Sequence, residues 1–165
     1  MKFKKALIFM QFAEQLSQLS KCHEGHVAAI IVSADGNQVL SIGINGGAGN
    51  LACLCAAGDK YKCIHAEVNA LTKCKQDCRG TVLFCTKAPC IQCSALLINA
   101  GIKAVIFTDT YKKPQGVQLM LKNGIQVYRM DTATQQLYTV VAGSDEYKEV
   151  SINGTDYDYF GDSRM

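Results

Sequence analysis

The stretches His65-Ala66-Glu67-Val68-Asn69-Ala70 and Pro89-Cys90-Ile91-Gln92-Cys93 decide how this chain is read. One imidazole and two thiols make three of the four tetrahedral ligands that Zn2+ takes, leaving the fourth position for water. A structural site fills all four positions with protein, so His65, Cys90 and Cys93 as a set of three point to a catalytic metal. Glu67 stands two residues after His65, where a carboxylate can exchange protons with that water without being a ligand. The competing reading of Cys90 and Cys93 is a redox pair. A redox pair needs neither the His-x-Glu upstream nor a proline before its first cysteine.

Outward from these stretches, residues 65–73 and 90–100 read as helices, the second ended by Gly101 at its C′ position. Strands are expected at 81–85, 103–108 and 125–130, with a helix at 117–123 ended by Gly124. Helix–strand units in succession imply parallel strands joined by crossover helices. Upstream, Phe3, Leu7, Met10, Ala13, Leu16 and Leu19 recur at helical steps, so residues 3–20 form an amphipathic helix covering one sheet face. The apolar run 27–32 reads as a buried strand, paired through the Asp35-Gly36-Asn37 turn with 39–44. Residues 137–141 add a short strand. The fold class is α/β, three layers α/β/α.

At 165 residues, 48% hydrophobic and 19% charged, the chain suits one globular domain rather than a disordered one. We place that domain at 1–143 and an acidic tail at 144–165. The tail carries −4 and the body +7. A basic body suits a phosphorylated substrate or nucleic acid, although solvated lysines produce the same surplus. Nine cysteines are an odd number, which favours reduced thiols and metal ligands over a disulfide scaffold. The apolar run after Lys5 breaks at Gln11, too soon for a signal peptide, and no stretch reaches transmembrane length. Residues 43–50, Gly-Ile-Asn-Gly-Gly-Ala-Gly-Asn, either admit a ligand to the backbone or simply turn; no Gly-Lys-Ser/Thr follows. Cys74 and Cys78 are spaced to share a helix face, Cys85 reads as strand core, and His23 and His26 as surface.

The chain resembles zinc-dependent deoxycytidylate (dCMP) deaminases of the compact phage and bacterial type, over residues 16–130. His-x-Glu with Pro-Cys-x-x-Cys is the signature of zinc nucleobase deaminases. His65-Ala66-Glu67 with Asn69-Ala70 matches the family's H-A-E-x-N-A, and Val27-Ala28-Ala29-Ile30-Ile31 resembles V-G-A-x-I. Gly43-Ile44-Asn45-Gly46 resembles G-Y-N-G, with Ile44 in the aromatic's place. Pro89 to Cys93, Ala95 and Ala100-Gly101-Ile102 fit the P-C-x-x-C helix and its A-G-I ending. Nucleoside deaminases carry arginine where Ser94 stands, and transfer-RNA adenosine deaminases carry glutamate where Ala88 stands.

The resemblance implies a cytidine-deaminase-like fold with a mixed five-stranded sheet. It implies hydrolysis of dCMP to dUMP and ammonia by a zinc-bound hydroxide, feeding dTMP synthesis. His65, Cys90 and Cys93 would hold Zn2+ and Glu67 would shuttle protons, while Asn45, Ala66 and Tyr111 would bind substrate. It further implies a cytoplasmic homo-oligomer, a hexamer by preference (in the host cytoplasm for a phage-encoded chain), with no membrane or stable nucleic-acid partner. In many members dCTP and dTTP act as effectors near the loop of Gly46, Gly47 and Gly49, with Mg2+ only alongside a bound triphosphate. Some phage members hold a second, structural zinc at the place of Cys22, Cys53, Cys55 and Cys63; the other reading of those four is scattered thiols. The alternatives are a deaminase of nucleic acid or free nucleosides, and a catalytically silent zinc-stabilised binding module.

Overall fold

Apolar residues are concentrated in the middle strands of a single sheet, and helices cover both of its faces. In order along the chain the elements are α1 (Phe3–Ser17), β1 (Ala28–Val32), β2 (Val39–Ile44), α2 (Ala66–Lys73), β3 (Val82–Lys87) and α3 (Ile91–Asn99). Then follow β4 (Ala104–Asp109), α4 (Gln115–Lys122), β5 (Gln126–Asp131), β6 (Gln136–Ala142) and β7 (Tyr147–Ile152). The computed structural model describes residues 1–49, 51–53, 55, 63–143 and 147–152. Asn50 and the tail aromatics Tyr157, Tyr159 and Phe160 lie outside the described residues.

The strands pair in the order β2-β1-β3-β4-β5-β6-β7. β3, β4 and β5 are parallel, as the helix–strand succession requires, and the remaining pairs are antiparallel. Every residue of β1 is buried because both of its faces are covered, which is why it reads as an unbroken apolar run. Ile30, Val32, Phe84 and Ile106 meet Phe3, Leu7 and Met10 of α1 on one face. Ala29, Ile31, Leu83 and Phe107 meet Ala66, Ala70, Leu97 and Met120 of the other three helices on the opposite face. A fully buried side chain such as Phe84 or Ile31 contributes about 1.5–3 kcal/mol to holding these layers together.

Among the described residues the sheet has seven strands, two more than the five the resemblance implies. β6 is the short strand anticipated at 137–141, extended by a residue at each end. β7 lies within the acidic stretch, and composition hid it because an edge strand needs no apolar alternation. Lys148, Glu149, Val150 and Ser151 are all exposed, and the pairing with β6 is made by the backbone, from Ala142↔Tyr147 to Leu137↔Ile152. An ion pair, Arg129 Nε to Glu149 Oε2 at 2.6 Å, ties β7 back to β5 across β6. Cys74 and Cys78 share no helix face, because α2 stops at Cys74, its C-cap, and Cys78 lies beyond it. Among the described residues no helix is long and apolar enough to cross a membrane.

Two features of this architecture position the site. β3 ends at Lys87, so the chain reaches Cys90 at the carboxyl end of a central parallel strand, the usual ligand side of an α/β sheet. On the other flank, α2 lies against β2, with Ser41 Oγ donating to the Ala70 carbonyl at 2.6 Å and Asn69 Nδ2 to that of Ile44 at 2.8 Å.

Candidate active site

His65 is the N-cap of α2 and Cys90 the N-cap of α3, so two helix starts face one another. His65 Nδ1 stands 3.5 Å from Cys90 Sγ and 3.4 Å from Cys93 Sγ, and the three potential ligand atoms all lie within 4.8 Å of one another. The backbone N–H of Cys93 donates to Cys90 Sγ at 3.5 Å, and the first-turn amides of α3 add the positive end of its dipole. The Cys93 thiol hydrogen-bonds Cys90 and, with the His65 imidazole, draws Cys90 down to about 4 against the opposing effect of burial. The hydrogen bond to Cys90, together with burial, pushes Cys93 up in turn. A nitrogen and two sulfurs at these distances fit a thiophilic divalent cation.

Glu67 lies in the first turn of α2 and is only 4% exposed. Burial pushes its carboxyl up to about 7 from 4.5, while its own backbone N–H and the His65 imidazole pull the other way. A carboxyl poised there can both accept and return a proton near neutral pH. Glu67, His65, Cys90 and Ala66 line a cavity of about 300 Å3, as do Asn45 and Tyr111 from the loops after β2 and β4. Of the residues singled out for catalysis, metal and substrate, all but the buried Cys93 therefore border one space.

Lys87 and Lys112 line the same cavity and were missed in the sequence, where they are two among many lysines. The signal that could have found Lys87 is its place at the carboxyl end of a central strand, close before Pro89. Its Nζ stands 6.0 Å from the centre of the Tyr111 ring, which is 37% exposed.

Cys22, Cys53, Cys55 and Cys63 also converge, with their sulfurs within 4.8 Å of one another. Cys55 Sγ lies 3.8 Å from Cys22 Sγ and 3.3 Å from Cys63 Sγ, and Cys53 is in direct sulfur contact with Cys63. Cys22, Cys55 and Cys63 also line the cavity that Glu67 and Asn45 border. Gly46 pairs with Ile64 in an isolated bridge, bringing the glycine loop beside His65, while Gly47 packs against the Leu51 carbonyl and Gly49 turns with φ +59°. His23 and His26 are exposed, and Cys85 is fully buried in β3.

The family profile described as "Cytidine and deoxycytidylate deaminase zinc-binding region" matches residues 4–109, a span that contains both helix starts of the site. The chain belongs to this family. A deoxycytidylate deaminase from Saccharomyces cerevisiae is 29% identical over 142 residues, covering 78% of this chain and 45% of the yeast protein. ComE operon protein 2 of Bacillus subtilis is 32% identical over 133 residues, covering 74% of this chain and 69% of that protein. The chain thus spans under half of the yeast relative and, at 42%, of the Schizosaccharomyces pombe deoxycytidylate deaminase. Among solved structures, the dCMP deaminase of cyanophage S-TIM5 in complex with dCMP and dUMP superposes with a TM-score of 0.72 at 32% identity. That match covers 79% of this chain and 99% of the phage protein. Membership brings the family's zinc-binding region onto the residues that carry the site.

Proposed function

We propose that this protein hydrolyses dCMP to dUMP and ammonia. The observation that carries the reading is the convergence of His65, Cys90 and Cys93 within 4.8 Å beside a buried Glu67, with His65, Cys90 and Glu67 bordering one nucleotide-sized cavity. His65 Nδ1 and the sulfurs of Cys90 and Cys93 would hold Zn2+, which would supply the Lewis acidity that makes water nucleophilic near pH 7. Glu67 takes the proton of the attacking water, delivers it to ring N3 of the cytosine, and passes a second to the departing amine. Its burial keeps the shuttle near the operating pH and shuts bulk water out of the reacting position. The first-turn N–H of Ala66 holds the base carbonyl, Asn45 the sugar hydroxyl, and Tyr111 the open side of the ring. Lys87 and Lys112 supply the positive charge that a 5′-phosphate needs and a nucleoside does not.

The same reading extends to Cys22, Cys53, Cys55 and Cys63, which would hold a second, structural Zn2+. A Cys53–Cys63 disulfide would use two sulfurs, whereas four converge, and Cys22 and Cys55 have no reason to approach a finished disulfide. Ile91 and Leu96, exposed on α3, favour burial against another subunit in a homo-oligomer. Such an enzyme works in the cytoplasm, where its thiols stay reduced. The reaction is tested by ammonia release from dCMP, dCTP, deoxycytidine and single-stranded DNA. Turnover should be confined to dCMP; activity on deoxycytidine or DNA with none on dCMP refutes the reading.

A further inference from the structure

Asn45 projects from the loop after β2 into the cavity, and almost all of its hydrogen-bonding capacity is already committed. Its Oδ1 accepts from Ser20 Oγ at 2.6 Å and from the Val27 N–H at 2.9 Å, filling both lone pairs. Its Nδ2 donates to the Gly25 carbonyl at 2.8 Å, leaving one N–H without a partner among the described residues. Ser20 is only 7% exposed, and its hydroxyl accepts from the Cys22 N–H at 3.1 Å. The single hydroxyl hydrogen goes to Asn45 Oδ1, since that contact is shorter than the 3.0 Å to the Asn45 carbonyl. Nothing in the sequence pairs Ser20 with Asn45, and no catalytic step uses Ser20.

We propose that Ser20 is a positioning residue for substrate recognition: it locks the Asn45 amide so that one Nδ2–H, and no acceptor, faces the nucleotide. The inference rests on the reading of this cavity as a dCMP site with Asn45 on the sugar. Deoxycytidylate has one free sugar hydroxyl, at C3′, whose oxygen accepts such a donor. With Ser20 removed, the carbonyl end of the amide is held by Val27 alone and rocks away from this orientation. The ligand-bearing helix starts do not depend on Ser20, so binding should suffer and chemistry should not.

The test compares Ser20→Ala, Ser20→Thr and Asn45→Ala with the unaltered enzyme, using dCMP and its 2′,3′-dideoxy analogue. Ser20→Ala should raise KM for dCMP about 3- to 10-fold, the worth of one net hydrogen bond, with kcat within about twofold. KM for the dideoxy analogue and the zinc content should be unchanged, so discrimination between the two nucleotides narrows. Ser20→Thr, which keeps the hydroxyl, should restore it. Should Ser20→Ala fail to fold, Ser20→Cys carries the same comparison with a weaker donor of similar volume. An unchanged KM in Ser20→Ala alongside a raised KM in Asn45→Ala overturns the inference and leaves the dCMP reading intact. An equal loss on both nucleotides, or a fall in kcat alone, also overturns it, as a merely structural role would produce. Unaltered enzyme inert toward dCMP, or Asn45→Ala with normal KM, overturns the reading of the site and this inference with it.

Discussion

A single methyl group at Gly43 should separate the two halves of the active site. Gly43 is buried in β2 with α2 packed directly on it, and a Cβ built there would lie 2.0 Å from the Ala66 carbonyl oxygen and 2.3 Å from the Ala70 nitrogen. Both are backbone atoms, and real contacts of this kind keep at least 3.0 Å, so the helix must retreat from the strand by about 1 Å. No rotamer can absorb the clash. The part of α2 that moves begins at its N-cap, His65, and includes Glu67 in its first turn. Overpacking of this kind costs about 1–3 kcal/mol of stability, which a domain of this size survives. A displacement of about 1 Å at a reacting group costs about a hundredfold in rate. The prediction for Gly43→Ala is therefore a folded protein with kcat down about a hundredfold and weakened zinc binding. Zinc affinity is measured by competition with a chromophoric chelator, kcat by ammonia release, and folding by thermal melts. Gly46→Ala is the control: its Cβ meets nothing within 4 Å, and it should change stability by less than about 0.5 kcal/mol. Gly43→Ala with normal zinc affinity and normal kcat would show that the contact between β2 and α2 does not set the site.

Glu67→Gln should keep its zinc and lose at least about a hundredfold in turnover, as general acid–base removal does; loss of the metal would make Glu67 a ligand. In chelator-stripped protein, the raised carboxyl pKa means that the folded state holds a proton between pH 4.5 and about 7 that the unfolded state releases. Stability from this group is therefore full below pH 4.5 and falls by about 3 kcal/mol as pH rises through 7, a slope that urea melts should find and Glu67→Gln should abolish. Cys53→Ser should halve the zinc per chain and lower stability while His65, Cys90 and Cys93 keep theirs. A single zinc per chain in reduced, fully active protein counts against the four-thiolate site.

That His65, Cys90 and Cys93 converge beside Glu67 was legible in the sequence because the spacing that brings them together is local. A ligand at a helix start, a carboxylate two residues on, and two cysteines three apart at the next helix start carry their meaning locally. The layers were legible for a similar reason: runs such as β1 and stripes such as α1 record which faces are buried, and burial constrains residue type one position at a time. β7 escaped because an edge strand is held by backbone hydrogen bonds, to which lysine, glutamate and serine contribute as well as valine. Lys87 and Lys112 escaped because a lysine at a cavity and a lysine in water look alike in sequence. The four thiols upstream of His65 could be counted from the sequence, but only the folded chain brings Cys22 to Cys55 across 33 positions. Ser20 needed the fold most of all. Its role lies in one hydroxyl reaching an amide 25 residues away, a contact that depends on distance and direction in space and leaves no pattern along the chain.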